Sequence, residues 1–185
     1  MHRRLLPVLI AALAALVVAL ALDQRGGGGG NGSAVGARTR ARVARVVDGD
    51  TIAVSIEGGG ADERSVRLLG IDTPETHRPG TPIECGGPEA SASMERIAPP
   101  GTHVTLEADP TQDRVDRYGR LLAYVRLPDG RLAEEEQLAA GWATVYVFAG
   151  HPVARDGDFR RVQAAAHAAR RGVWGRCGGR FHYAG

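Results

Sequence analysis

The chain contains no lysine, and all 23 of its basic residues are arginine, set against 21 acidic residues. Five of the arginines and one acid lie in residues 1–40, which leaves 18 basic and 20 acidic side chains and a net charge of −2 in residues 41–185. That part of the chain therefore has no overall positive field that could attract a polyanion. Any phosphate binding must come from local groups of arginines or from a bound cation.

Cysteine is scarce as well, because only Cys85 and Cys177 are present. Neither has a second ligand at the spacing of a zinc site, which argues against zinc. Two cysteines of an exported chain can pair in an oxidising compartment, and two free buried thiols are the alternative. We predict the disulfide, which would close a loop of about 93 residues and stabilise the fold by roughly 4–5 kcal/mol in the chain-entropy model.

Charge is absent from residues 5–22, an apolar run of Leu, Ala and Val that follows a short basic start. This order is typical of a signal peptide, and Ala19-Leu20-Ala21 offers a cleavage site. The alternative is an uncleaved membrane anchor, since this run spans about 27 Å as a helix and a bilayer core about 30 Å. We predict a signal peptide or anchor over 1–22, a glycine-rich linker over 23–40, and a secreted or extracytoplasmic, membrane-anchored protein.

Short apolar runs separated by turn signals make up the rest of the chain. Strands are predicted in a hairpin over 41–57 and over 65–71, 103–107 and 120–127, and helices from Pro88, over 132–140 and over about 158–171. Five strands with three interleaved helices indicate an α+β domain around a small barrel. This domain is predicted to occupy residues 41–178, with a C-terminal tail over 179–185.

Two short segments, 48–51 (DGDT) and 67–76 (RLLGIDTPET), place four acids at predicted strand ends, and Arg67 and Arg120 occupy strand positions. Each motif alone is common in turns, helix caps or strand edges. Carboxylates gathered at one end of a barrel, however, repel one another unless a cation lies between them. Oxygen ligands select calcium or magnesium, and we expect no histidine or cysteine close to these acids that would suggest zinc.

Four motifs in this order resemble the staphylococcal nuclease, or thermonuclease, family: DGDT, R-L-L-x-I-D-T-P-E, G-P-E-A-S and D-R-Y-G-R, within about residues 41–175. The resemblance implies a five-stranded OB-fold barrel with three helices. It also implies an enzyme that needs Ca²⁺, hydrolyses phosphodiester bonds in DNA and RNA, and leaves 3′-phosphate ends. The expected partner is the nucleic acid substrate, no protein partner is implied, and a monomer is the default.

The resemblance also implies roles for individual residues. Glu75 looks like the general base that deprotonates the attacking water, and Arg67 and Arg120 look like the pair that grips the phosphate. The remaining implied residues are the calcium ligands Asp50, Asp72 and the Thr73 carbonyl, and the substrate contacts Arg117, Tyr118 and Tyr146.

Some positions depart from the family pattern. Gln137 falls where the family is apolar, so a buried amide without a partner would weaken the packing by about 1–3 kcal/mol. Phe148 falls where the family often has a second tyrosine, which keeps base stacking but removes a hydroxyl. The alternative to an enzyme is a binding module that keeps the fold and not the chemistry. Such modules typically lose the acids or the arginines, which are all present here.

Overall fold

The computed structural model describes residues 37–60, 62–76 and 82–182. The predicted signal peptide or anchor, and the linker up to residue 36, lie outside these ranges. Within them, no helix is both long enough and apolar enough to cross a membrane.

Seven strands are present in the described ranges: β1 (Arg38–Val46), β2 (Thr51–Ile56), β3 (Glu63–Leu68), β4 (Ile71–Asp72), β5 (His103–Glu107), β6 (Leu121–Arg126) and β7 (Thr144–Val145). Five of them close a barrel in the order β1-β2-β3-β6-β5, and β4 pairs with β7 in a separate two-stranded sheet. Pairing is antiparallel throughout except between β3 and β6, which run parallel. The predicted α+β barrel of five strands is therefore confirmed.

The described ranges also contain four helices: α1 (Gly87–Ile97), α2 (Ala133–Ala139), α3 (Asp156–Ala168) and α4 (Val173–Arg176). The first three correspond to the predicted helices. In α1, Ala90 and Met94 are fully buried and Ile97 is partly buried against the core, as expected for one face of a helix. The four-residue α4 and the two-residue β4 and β7 were not predicted, since segments this short carry no periodic signal.

Both ends of the domain differ from the prediction. β1 begins at Arg38, inside the predicted linker 23–40, because it pairs with β5 from the Arg38–Glu107 register onwards. At the other end, Phe181 is only 7% exposed, and its ring centroid lies 4.8 Å from that of Trp174. The first residues of the predicted tail 179–185 therefore pack on the domain, because an aromatic side chain there completes a small apolar cluster.

Cys85 and Cys177 form the predicted disulfide, with their Cα atoms 5.9 Å apart. The bridge lies in the same cluster as Phe181, which also contains Val173 and Trp142. This cluster is separate from the barrel core and fixes the C-terminal segment to the start of α1.

Gln137 has partners, contrary to the packing defect considered from the sequence. Its side chain is fully buried, and Nε2 donates to the carbonyls of Gly49 and Ala90, each at 2.8 Å. Its Oε1 is buried without a partner among the described residues. The amide therefore ties α2 to α1 and to the turn between β1 and β2.

Glu134, in the first turn of α2, is a carboxyl group buried without a cationic partner at salt-bridge distance in the described ranges. Both of its oxygens accept the backbone N–H of Val125, at 3.0 and 3.3 Å. Burial raises the pKa of Glu134 to about 8, against an ordinary value of 4.5. The folded protein therefore carries this group protonated at neutral pH.

Replacing both cysteines by serine should lower the free energy of unfolding by about 2–5 kcal/mol, because the unfolded chain regains entropy when the cross-link is lost. Chemical denaturation of the Cys85→Ser/Cys177→Ser protein without reductant measures the difference. Reductant is the control, since it should bring the wild type to the level of the variant and leave the variant unchanged. Equal unfolding midpoints for wild type and variant would contradict the prediction.

Glu134→Gln should remove a pH dependence from the free energy of unfolding. Unfolded glutamate ionises near pH 4.5 while the folded group holds its proton to about pH 8, so folding is destabilised progressively between these values. Glutamine keeps an acceptor for Val125 and cannot ionise, so the variant should gain on the order of a few kcal/mol at pH 8. Denaturation between pH 4 and 9 measures this, with Glu135→Gln as the control that keeps the wild-type slope.

Candidate active site

The site begins at the turn between β1 and β2. The Asp48 Oδ1 atom accepts the backbone N–H of Asp50 at 3.0 Å, which closes the turn. A Cβ atom on Gly49 would lie 2.7 Å from the Thr73 Oγ1 atom and 2.8 Å from the Cβ of Ala90. Glycine is therefore required where this turn packs against its neighbours, and the packing brings Asp50 against Thr73.

Asp50 is 6% exposed, and its Oδ2 atom accepts both the backbone N–H and the hydroxyl of Thr73, each at 3.0 Å. Burial raises the pKa of Asp50 above its usual range, Arg67 opposes the shift, and the charges of Asp48 and Asp72 add to it. Additional positive charge in the cleft would therefore stabilise the ionised form of Asp50.

Arg67, on β3, joins the two predicted metal-binding aspartates. Its Nε lies 3.1 Å from the Oδ1 atom of Asp50, and its Nη2 lies 2.8 Å from the Oδ1 atom of Asp72. The Nη1 atom donates to the carbonyls of Leu68 and Ile71, at 3.0 and 2.8 Å. The guanidinium is thus held in place by the strand end, and the two carboxylates lie close enough together to share it.

Arg120 immediately precedes β6, the strand next to β3. Arg67 is paired with Leu122 across the parallel strands, and Arg120 lies two residues before Leu122. Because side chains two residues apart share a face, both arginines lie on the same side of the barrel wall. Asp116 orients Arg120 by accepting its Nε at 2.7 Å and its backbone N–H at 3.0 Å.

A cleft of about 640 Å³ brings the predicted site together. All nine residues predicted to bind metal, catalyse or contact substrate line it: Asp50, Arg67, Asp72, Thr73, Glu75, Arg117, Tyr118, Arg120 and Tyr146. Tyr118 and Phe148 are 67% and 66% exposed at its wall. The guanidinium groups of Arg117 and Arg120 lie 4.7 and 5.4 Å from the Tyr118 ring centroid. The wall of the cleft beside the acids therefore combines exposed aromatic rings with arginine side chains.

Glu75 follows β4 and lines the same cleft. Its backbone N–H donates to the Oε2 atom of Glu84 at 2.6 Å, and its own Oε1 accepts the N–H of Thr76 at 3.1 Å. His182 completes this group, with Nδ1 2.8 Å from the Oε2 atom of Glu84 and Nε2 3.0 Å from the Oδ2 atom of Asp72. Hydrogen bonding to Asp72, supported by Glu84, raises the pKa of His182 to about 9.

The expectation that no histidine lies near the acids is therefore wrong, because His182 contacts Asp72 and Glu84. His182 falls in the predicted tail, and the signal that could have found it is the disulfide. A bridge from Cys85 to Cys177 returns the tail to the segment that follows Glu75. Glu84 and Asp116 were also missed as partners, although each stands beside a residue that was singled out.

Within the described ranges, no group of three or more His, Cys, Asp or Glu side chains is arranged to hold a metal ion. The predicted ligand set is smaller, with the carboxylates of Asp50 and Asp72 and the backbone carbonyl of Thr73. All three donors are oxygens, which suits a hard cation that completes its shell with water.

Comparison with known proteins agrees with this geometry. A family model described as staphylococcal nuclease homologue matches residues 65–176, more than half of the chain. The chain belongs to the staphylococcal nuclease family. The matched segment holds eight of the nine predicted site residues, whereas Asp50 and His182 fall outside it.

Three relatives illustrate the similarity to known proteins. The SPbeta prophage-derived endonuclease YokF of Bacillus subtilis is 38% identical over 135 residues, 72% of this chain and 43% of the relative. Endonuclease YncB of the same organism is 37% identical over 135 residues, 72% of this chain and 61% of the relative. The thermonuclease of Staphylococcus hyicus is 44% identical over 98 residues, 53% of each chain. The chain thus spans about half the length of these relatives.

Proposed function

We propose that this protein is a nuclease that hydrolyses phosphodiester bonds in DNA and RNA in a Ca²⁺-dependent reaction and leaves 3′-phosphate ends. The observation that carries the proposal is the contact of Arg67 with both Asp50 and Asp72, in a cleft that also holds Glu75 and Arg120. Relatives named endonuclease and thermonuclease support the same reaction class.

Glu75 is proposed as the general base. It takes a proton from a water molecule, whose oxygen then bonds to phosphorus, while the bond between phosphorus and the 5′-oxygen breaks. The departing 5′-oxygen takes a proton from solvent, and the phosphate stays on the 3′-oxygen. Contacts of the Glu75 backbone with Glu84 hold the base at the edge of the cleft, on the segment next to Asp72.

Arg67 and Arg120 are proposed to stabilise the charge that builds on the phosphate oxygens. A planar guanidinium can bond two of these oxygens at once, and both groups are already oriented by acids before substrate arrives. Such preorganised donors require little rearrangement during the reaction, which is where their catalytic contribution arises.

Calcium is proposed as the cofactor, held by Asp50, Asp72 and the Thr73 carbonyl. The raised pKa of the buried Asp50 carboxyl supports a cation here, because bound positive charge favours the ionised form. Two carboxylates and a carbonyl leave room for the additional oxygen ligands that calcium takes. When bound, a divalent cation supplies charge neutralisation at the phosphate.

Substrate binding is proposed to rely on the exposed aromatics of the cleft, since the domain lacks a general positive charge. Tyr146 and Phe148 are exposed at the cleft, where unpaired bases can stack on them, and Arg117 and Tyr118 can contact a neighbouring phosphate. Secretion or extracytoplasmic anchoring, and action as a monomer, stay predictions of the sequence and belong to the same proposal.

Digestion of single-stranded DNA and RNA with added Ca²⁺, and then with a chelator, tests the function. Cleavage should occur with Ca²⁺ and stop with the chelator. Glu75→Gln should lower turnover about 10²–10⁴-fold, because the general base is lost. The variant should still bind calcium and nucleotide. Glu95→Gln on the exposed face of α1 is the matched control. Nucleic acid binding without cleavage in either condition would favour the binding module instead, and near-normal turnover of Glu75→Gln would refute the base assignment.

Arg67→Lys should lower kcat about 10²–10³-fold although the positive charge is kept, because an ammonium cannot reproduce the fork that contacts Asp50, Asp72 and phosphate. Arg64→Lys, on the same strand but outside the cleft, should be near wild type. Steady-state kinetics at a temperature where circular dichroism shows both variants folded makes the comparison. Similar kcat values for the two variants would rule out the proposed role of Arg67.

A further inference from the structure

The C-terminal segment after Cys177 reaches the candidate active site, although it lies outside the part of the chain that matches the family model. Gly178 and Gly179 have φ values of 63° and 74°, a conformation in which glycine avoids steric strain, and they turn the chain back after the disulfide. Phe181 then anchors the segment in the apolar cluster with Trp174. The next residue, His182, enters the cleft.

Both ring nitrogens of His182 face carboxylates that belong to different parts of the site. Asp72 is held from two sides, since its Oδ2 atom contacts His182 at 3.0 Å and its Oδ1 atom contacts Arg67 at 2.8 Å. These two contacts restrict rotation of the carboxylate, which is one of the predicted metal ligands.

The second contact of His182 reaches Glu75 through Glu84. The Oε2 atom of Glu84, which is only 4% exposed, lies 2.8 Å from Nδ1 of His182 and 2.6 Å from the backbone nitrogen of Glu75. The backbone N–H of Glu84 also donates to the carbonyl of Glu75 at 3.0 Å. Glu84 therefore holds both the backbone N–H and the backbone carbonyl of Glu75, and His182 in turn holds the carboxylate of Glu84.

We propose that His182 is a positioning residue of the nuclease site, which orients Asp72 directly and Glu75 through Glu84. The assignment rests on the proposed function for its effect on turnover, but the positioning itself is a property of the folded chain. His182 is not a catalytic residue in this scheme, because its two nitrogens are engaged by the carboxylates that it holds. The disulfide and Phe181 deliver it to the cleft.

The test compares His182→Ala with His103→Ala. His103 is a matched control, because it also pairs with a glutamate at 2.8 Å, to Glu57, but lies on β5 with 69% of its side chain exposed and does not line the cleft. Three measurements are made on each variant: calorimetry for the Ca²⁺ affinity, steady-state kinetics on single-stranded DNA for kcat and KM, and hydrogen exchange at the Glu75 amide. Thermal unfolding shows whether the fold is kept.

His182→Ala should weaken Ca²⁺ binding or lower kcat by about 10–100-fold, the usual effect of losing a partner of a metal ligand, with a smaller change in KM. Exchange at the Glu75 amide should become faster, and His182→Gln, which can still donate to one carboxylate, should recover part of each loss. Values equal to those of His103→Ala in all three measurements would overturn the proposal.

The outcome can be separated from that of the proposed function. If the wild type cleaves no nucleic acid with Ca²⁺, the proposed function fails, and the exchange rate of the Glu75 amide in His182→Ala still decides whether the histidine positions this segment. If the wild type cleaves and the two alanine variants have the same kinetics, exchange rate and Ca²⁺ affinity, the function stands and the positioning role fails.

Discussion

The arrangement of the cleft depends on one shared interaction, the contact of the Arg67 guanidinium with Asp50 and Asp72. Two carboxylates close together in a largely buried place repel each other, and the guanidinium offsets that repulsion when no other cation is bound. The turn before β2, the end of β3 and the short strand β4 all converge on this contact. Each of these elements contributes one charged group, so a displacement of any of them disturbs the other two.

The barrel and the acids could be predicted from the sequence because their signals are local. Alternating apolar residues define the strands, and the four motifs place Asp50, Arg67, Glu75 and Arg120 at strand ends. The contact between Arg67 and both aspartates could not be predicted from the spacing of these residues along the sequence. It depends on the register in which β2 pairs with β3, where Thr51 stands opposite Arg67.

The parts that could not be predicted depend on contacts between distant residues. His182 is 98 positions from Glu84, and no periodic pattern connects them. Gln137 looked like a packing defect, yet its amide bonds two carbonyls, one of them 88 positions away. Whether a buried polar group stabilises or destabilises a fold is decided by its partners, and those are known only once the chain is folded.

The two arginines are held in place by the parallel pairing of β3 with β6, whereas Glu75 is held in a different way. Adjacent strands are spaced by about 4.8 Å through their hydrogen-bond ladder, so the interval between the arginine-bearing positions is set by the backbone. Glu75 lies beyond the last residue of β4, and its backbone is held instead by hydrogen bonds to Glu84 at 2.6 and 3.0 Å. The placement of the arginines is therefore set by strand pairing, whereas that of Glu75 is set by its contacts with Glu84.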